Sequence, residues 1–331
     1  MKRDDMRFFH EYQIRENMMK VSIIVPVYNE EESLDLLYEA VEKSATTMGL
    51  PWELILVDDG SNDDSREKIE NIVSAHKGQV SAVILRRNFG QTAAIAAGID
   101  NSSGEIIVLL DADLQNDPAD IPLMVEKLQA GYDLVSGWRY NRKDTFLTRT
   151  LPSRVANWII SSVTGVKLHD YGCTLKAYRR EVLTGFRLYG EMHRFIPVYA
   201  NSVGARIVEI KVHHHERKFG KAKYGLERTF KVILDLFTVK FLTAYSSKPI
   251  YLFGGTGMAL ISISFFTLLF LAIRRIIANI SPFSSPMFTI AVMIAILGFQ
   301  SILMGLIAEL LSRTYHESQN KPVYTVREVI K

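Results

Sequence analysis

The chain has 331 residues, 48% of them hydrophobic, and a formal net charge of +3. That length allows one sizeable domain plus a smaller element, and so small a net charge gives no ground for a nucleic-acid partner. Cys173 is the single cysteine, which excludes an internal disulfide and suits a reducing compartment, where a lone cysteine is most often a small buried residue.

Residues 1–18 are polar, lack an apolar run of signal-peptide length and read as an extension, with Met18 or Met19 as a candidate start. Strand and helix signals then alternate. "KVSIIVPVYN" is β-branched and bounded by Pro26 and Asn29, and Leu34, Leu37, Val41 and Ala45 follow at helical spacing. "WELILVDDGS" precedes a helix over about 63–76, "SAVILRR" a helix through "GQTAAIAAGID", and "EIIVLLDAD" a helix over about 118–130. Such a βα series predicts an α/β domain with a mostly parallel sheet, whose ligands bind at the carboxyl ends of the strands.

The polar residues gather at those ends. "PVYNE", "VDDGS" and "DADLQ" each close an apolar strand with acids or amides. One Asp after a strand is usually a helix cap, but three acidic exits on adjacent strands exceed what capping needs. Asp111, Asp113 and Gln115 alternate, so on an extended strand end they point the same way. Together they offer an all-oxygen shell for a hard divalent ion, Mg²⁺ or Mn²⁺, that leaves positions open for phosphate oxygens.

The C-terminal third changes character. Segment 250–273 carries no charge over 24 residues, and 287–311 meets an acid only at Glu309. Both exceed the ~10–14 apolar residues of an ordinary core helix and suffice for a hydrocarbon core of ~30 Å. The connection is short and carries Pro282 and Pro286 as breakers, so 249–312 is expected to form a two-helix transmembrane hairpin. From Lys211 to Lys248, nine Lys/Arg face three acids, which puts that flank, both termini and the 313–331 tail in the cytosol. Arg274 and Arg275 dissent at the far interface, but two charges able to snorkel do not outweigh nine. Segment 226–248 sets apolar residues at helical spacing among Arg228, Lys231 and Lys240, the pattern of an interfacial amphipathic helix. "HHH" at 213–215 suggests metal ligation, yet neighbouring strand residues point to opposite faces, and a strand or loop of mixed exposure is the reading preferred.

Five segments in this order, "IIVPVYNEEESL", "LILVDDGSNDDS", "RRNFGQTAAIAAGID", "LLDADLQNDP" and "RKFGKAKYG", followed by the hairpin, resemble the family 2 glycosyltransferases of GT-A fold. Within that family the similarity is to the polyisoprenyl-phosphate group, which includes dolichol-phosphate mannose synthases and bactoprenol glucosyltransferases. It spans about 19–311 and rests on five ordered motifs rather than one.

The resemblance implies a GT-A nucleotide-sugar domain over 19–225, anchored in a bacterial inner membrane and moving a sugar to a polyprenyl phosphate. It implies Pro26, Tyr28, Glu30 and Asp58 around base and ribose, and Asp111, Asp113 and Gln115 at the metal–diphosphate centre, Asp113 counted as catalytic. Arg217 and Lys223 resemble the basic residues that close over the donor phosphates, although a juxtamembrane basic segment is also attracted to anionic lipid. Asp170 in "HDYGCTLKAYRR" matches the D-x-G-C segment usually written as the catalytic acid or base. An acceptor phosphate with a second pKa near ~6 is mostly ionised at neutral pH, so orienting the acceptor or balancing charge is an equal reading. Arg139 in "SGWRYNR" matches the family's G-S-R arginine, with Trp138 in place of a small residue and a phosphate as its expected partner. His193 and Arg194 read as acceptor-side architecture.

UDP-glucose and undecaprenyl phosphate are the expected pair. GDP-mannose with dolichyl phosphate and UDP-aminoarabinose stay open, and a homo-oligomer is compatible with each. A processive polysaccharide synthase would carry a Q-x-x-R-W motif, absent here. A non-catalytic nucleotide-binding membrane scaffold would have no use for the intact acidic exits.

Overall fold

The computed structural model describes residues 19–140, 157, 160–162, 164–184, 188, 192–216, 250–278, 281, 285–318 and 324–331. The N-terminal extension, the interfacial segment 226–248, Arg217 and Lys223 lie outside the described residues. The chain divides into two compact units, 1–237 together with 322–331, and 238–321.

The first unit is built on one sheet of eight strands in the order β7-β5-β6-β4-β1-β2-β3-β8. Four strands match the apolar runs: β1 (Val21–Val27), β2 (Trp52–Asp58), β3 (Val80–Leu85) and β4 (Ile106–Leu109). They run parallel, β2 and β3 to one side of β1 and β4 to the other. Parallel pairing requires crossovers, supplied by α1 (Leu34–Thr47), α2 (Ser65–Ala75) and α3 (Gln91–Asp100). Leu34, Leu37, Val41 and Ala45 on α1 are at most 1% exposed, so the helical spacing read from sequence is the face that meets the sheet.

Beyond β4 the pattern changes. A single 3-10 turn, Pro118–Asp120, leads into α4 (Ile121–Gln129) and β5 (Leu134–Arg139). β6 (Lys176–Arg179) lies antiparallel between β4 and β5, while β7 (Ile207–Val212) runs parallel to β5. Two short helices, α5 (Arg180–Leu183) and α6 (Ile196–Ser202), precede β7. The last strand, β8 (Val326–Ile330), follows the second unit in sequence and pairs antiparallel with β3. The segment read as a tail, 313–331, thus supplies the last strand of the sheet.

Because β1, β2 and β3 step one way and β4 the other, strand order reverses between β1 and β4, where open α/β sheets place their ligands. Pro26 sits at that point. The Ile24 carbonyl takes the last bond from the β4 side, donated by the Leu110 N–H. Pro26, two residues on, faces the same side after β4 has ended, so its missing N–H removes no ladder bond.

The second unit is a pair of helices, α7 (Ile250–Ala278) and α8 (Pro286–Ser318). They contain stretches of 25 and 23 residues apolar enough to cross a bilayer. Pro286, expected as a breaker, is instead the first residue of α8, where its fixed φ and missing N–H fit the helix start. The helices touch where they have no side chain: a Cβ on Gly257 would lie 2.6 Å from the Gly298 carbonyl, and one on Gly298 2.8 Å from that of Gly257. Ser264 Oγ donates to the Ala291 carbonyl at 2.6 Å, a bond of the kind that joins helices in lipid. Phe265, Phe266, Ile290 and Met293 all face outward, more than half exposed.

Candidate active site

The exits of β1 and β2 are tied to each other before any ligand is considered. The Asn29 and Glu30 N–H groups donate to Ser61 Oγ and Ser65 Oγ at 3.0 and 2.8 Å, and Asn29 Oδ1 accepts from the Asn62 N–H at 2.8 Å. Asn29 reaches this geometry with φ of 52°, a region Asn tolerates better than most residues. Gly60 has φ of 71°, and a Cβ there would meet the Arg87 carbonyl carbon at 2.6 Å, so only glycine lets β2's exit lie against β3's.

Asp58 and Asp59, both buried, divide their work. Asp58 Oδ1 accepts the Ser61 N–H at 3.0 Å and holds its own turn. Asp59 accepts the Phe89 and Gly90 N–H groups at 2.7 and 2.9 Å and fixes the loop into α3. Burial pushes the Asp59 carboxyl up to about 6, against those two bonds, which favour its charged form. Between these loops lies a cleft of about 430 Å³, in the size range of small-ligand sites. Tyr28 and Asp58 line one side and Arg86, Arg87 and Asn88 another, with Arg327 reaching in from β8.

Across β1, the acids of the β4 exit do not sit on an extended strand. β4 stops at Leu109, and residues 111–115 form a turn in which Leu114 has φ of 58°. The alternation argument therefore fails in its geometry, although the residues stay together: the Gln115 N–H donates to Asp113 Oδ1 at 3.1 Å. Gln91, the first residue of α3, donates from Nε2 to Asp111 Oδ1 at 2.7 Å and links this turn to the loop bordering the cleft. Burial and then the neighbouring Asp113 charge push the Asp111 carboxyl up to about 6. Two carboxylates that resist sharing charge are a set a divalent cation would relieve. Among the described residues no group of three or more His, Cys, Asp or Glu forms a metal site. A shell of two acids and an amide suits an ion that keeps waters and substrate phosphates in its remaining positions, as Mg²⁺ does.

The three histidines hold this turn. Asn116 and His214 form an antiparallel bridge, and the His215 N–H donates to the Gln115 carbonyl at 2.8 Å. His213 Nδ1 meets Asp120 Oδ1 at 2.8 Å, and His215 Nε2 meets Asp117 Oδ2 at 2.9 Å. The segment continuing β7 thus straps the acidic turn with a different acid for each of these two histidines.

Behind the turn lies a buried ionic group from β5 and β6. Arg139 donates to Asp170 through Nε at 2.7 Å and a terminal nitrogen at 2.9 Å. Asp170 is 2% exposed. Burial works against the Arg139 charge, but Asp170 overrides it and raises the guanidinium pKa further. Arg139, read from sequence as a phosphate partner, is held here by a carboxylate, in a largely buried pair rather than a surface bridge. Gly172 leaves room for it: a Cβ there would stand 3.3 Å from the Arg139 guanidinium. Lys176, absent from the sequence-based site, is 2% exposed and donates to the carbonyls of Tyr171 and Cys173. Burial lowers it to about 8. Its signal was a lysine at the head of a strand otherwise flanked by apolar residues. Cys173 is a buried thiol pushed up to about 11 by desolvation, which fits the structural role expected of it. His193 Nδ1 and Thr92 Oγ1 of α3 are 2.7 Å apart, so His193 fastens its own turn to that helix.

Residues 22–186 match the model of glycosyl transferase family 2. Dodecaprenyl-phosphate galacturonate synthase of Rhizobium johnstonii is 43% identical over 94% of this chain and 93% of its own length. Undecaprenyl-phosphate 4-deoxy-4-formamido-L-arabinose transferase of Yersinia enterocolitica is 38% identical over 95% of each. Among solved structures, glucosyl-3-phosphoglycerate synthase from Mycobacterium tuberculosis, crystallised with Mg²⁺ and UDP, shares the fold with a TM-score of 0.52. That match has 20% identity and covers 70% of this chain and 82% of that one. With a GT-A sheet, acids at its switch point and near-full-length similarity to these transferases, the chain belongs to glycosyl transferase family 2, within its polyprenyl-phosphate sugar transferases.

Proposed function

We propose that this transferase moves a sugar from a UDP-sugar to undecaprenyl phosphate at the cytoplasmic face of a bacterial inner membrane. The observation that carries the reading is the pairing of Asp111 and Asp113 at the β1–β4 switch point with a cleft of about 430 Å³ on the other side of β1. A nucleoside fits the cleft, and its diphosphate then reaches the acids. Asp58, Tyr28, Pro26 and Glu30 form the nucleoside end; Asp111, Asp113 and Gln115 would hold Mg²⁺ or Mn²⁺. When bound, the ion stabilises the charge that develops on the departing diphosphate, with no proton transfer.

The chain's own residues do the rest. Arg217 and Lys223 are proposed to close over the donor phosphates. Asp170, held at two points by Arg139, orients that guanidinium and balances its charge rather than serving as a free base. The acceptor phosphate is already largely a dianion near neutral pH. It attacks the anomeric carbon opposite the departing nucleotide, so an α-linked donor gives a β-linked lipid phosphosugar.

The two long helices supply the anchor, and β8 supports the topology. Its partner β3 belongs to the domain that precedes the helices, so the chain must return to the side it left, which two crossings achieve. The positive flank at 211–248 makes that side cytosolic. For the sugar, UDP-glucose is the expectation from sequence, while the relatives are named for galacturonate and 4-deoxy-4-formamido-arabinose. The test is a panel of UDP-glucose, UDP-galacturonate, the UDP-linked formamido-pentose and GDP-mannose with undecaprenyl phosphate, Mn²⁺ present or chelated. Transfer from GDP-mannose alone, or full activity in EDTA, would overturn the reading.

A further inference from the structure

We infer that the strand following the two long helices completes the nucleoside end of the donor site, with Arg327 as a binding residue for the base of the nucleotide. This rests on the donor reading above and adds to it a residue more than 200 positions beyond the three acidic strand exits that define that site.

The tail is fixed from three directions. β8 pairs with β3 through Ala82–Ile330, Val83–Val329 and Ile84–Glu328, with the register shifting at Leu85–Val326. The Arg86 N–H donates to the Thr325 carbonyl at 3.0 Å, so the pairing runs to the lip of the cleft. Tyr324 Oη donates to Asp100 Oδ2 at 2.6 Å and pins the tail to the end of α3. Glu328 accepts from Arg66 at 3.1 Å, and Arg66 is itself a wall of the cleft. One strand thus supplies one cleft residue, Arg327, and steadies another, Arg66.

The charge balance of the cleft points to its ligand. Arg66 is paired with Glu70 and Glu328, and Arg87 lies over the Phe89 ring at 4.1 Å. Arg86 and Arg327 line the same space, and neither side chain has an acidic partner among the described residues. The same lining includes Asp58, 2% exposed, with one oxygen engaged by the Ser61 N–H. An acceptor beside free guanidinium donors complements an edge that alternates carbonyl, N–H and carbonyl, which uracil presents and cytosine does not. A cluster of arginines alone would equally suit a phosphate. The buried Asp58 carboxylate in the same lining disfavours that, and the diphosphate has its own place at Asp111 and Asp113.

The test uses the full-length protein in nanodiscs, with UDP and UMP as probes in calorimetry and donor and acceptor kinetics alongside. Arg327→Ala should weaken UDP and UMP by the same factor, about 10-fold, as for the loss of one charged hydrogen bond. It should raise the donor KM and leave kcat and the acceptor KM unchanged. Arg327→Lys should recover part of the loss. Tyr324→Phe, which keeps Arg327 and the β3 pairing but removes the bond to Asp100, should weaken UDP by a smaller factor. If Arg327→Ala binds both probes as the wild type does, the tail is an edge strand only and the inference fails. Weakened UDP with unchanged UMP would place Arg327 on the distal phosphate and also overturn it. A wild-type protein that binds neither probe would remove the donor reading itself, a result distinct from either.

Discussion

The two ends of the candidate site are built by opposite means. The nucleoside end, at β1, β2 and β3, is a set of exposed arginines and short loops stitched by side chain to backbone bonds, such as Ser61 and Ser65 to Asn29 and Glu30. The far end, at β4, β5 and β6, is an assembly of buried charges, Asp170, Arg139 and Lys176, in which Arg139 of β5 meets Asp170 and Lys176 of β6 meets carbonyls of the loop that precedes it. Exposed groups lose little when removed, because water replaces the partner; buried charges leave an unmatched charge in a medium that cannot solvate it. Substitutions at the first end should therefore act on affinity, and substitutions at the second on chemistry and stability together.

The largest effect separates the acids of the turn from everything else. Asp113→Asn removes one of two charges that would hold the cation and should cut transfer by ~10³-fold or more, since a metal contributes several kcal/mol to the transition state. Unfolding temperature should hardly change, because Asp113 is not part of the buried ionic group. Comparable turnover by the variant would break the assignment.

Next comes the buried pair. Asp170→Asn leaves Arg139 charged without its anion and should destabilise the domain by about 3–5 kcal/mol. At a temperature where the variant stays folded, transfer should fall by less than ~10²-fold, below what a positioned base contributes. The acidic limb of the pH profile should stay near ~6, where the acceptor phosphate ionises. Adding Arg139→Met should restore stability without restoring rate, since it removes the orphaned charge. Loss of the acidic limb in Asp170→Asn would instead make Asp170 the base.

At the nucleoside end, Asp59 is one of two buried acids. Its folded pKa of about 6 lies above the ordinary 3.8, so its contribution to stability is present in full below about 3.8 and lost as pH rises through about 6. Asp59→Asn removes that titration and keeps one acceptor for Phe89 or Gly90. Between about pH 5 and about pH 7.5 the variant should gain on the wild type by ~1.4 kcal/mol, read as a narrowing of the difference in unfolding temperature. A difference that does not change with pH would show that Asp59 is ionised throughout.

The same contrast explains what the sequence showed. β1 to β4 and their helices were legible because each is a local apolar pattern closed by a local turn. The polar exit of β2 was legible as well, since Asp58 closes its own turn with Ser61, whereas the partners of Asp59 and Gly60, Phe89, Gly90 and Arg87, lie a whole βα unit away. Three features were not. Lys176 is buried because Tyr171 and Cys173 turn their carbonyls toward it, which only the folded loop decides. β8 is five residues, "VREVI", too short to stand out, and its partner β3 lies far away in sequence. The alternation at Asp111, Asp113 and Gln115 was visible, but not the positive φ at Leu114 that turns the chain there.

The smallest expected effect concerns the histidine strap, which belongs to the far end and ties the acidic turn to the segment that continues β7. His213 is three-quarters exposed, so its pair with Asp120 contributes under ~1 kcal/mol. Its pKa is raised, first by the hydrogen bond to Asp120 and then by that acid's charge. For a raised histidine the contribution is complete below the unfolded value near ~6.5 and disappears as pH rises through the higher folded one. His213→Ala should therefore lower the unfolding temperature slightly at about pH 6 and leave it unchanged at about pH 8.5. The backbone bond from the 213 N–H to Asp120, at 2.6 Å, survives the substitution and keeps the turn in place, so transfer should stay within ~2-fold. The strap also separates from metal ligation in the same assay. Histidines already engaged by Asp117 and Asp120 should gain no stability from micromolar Zn²⁺, whereas a marked Zn²⁺-dependent rise that vanishes in His213→Ala would make these residues ligands after all.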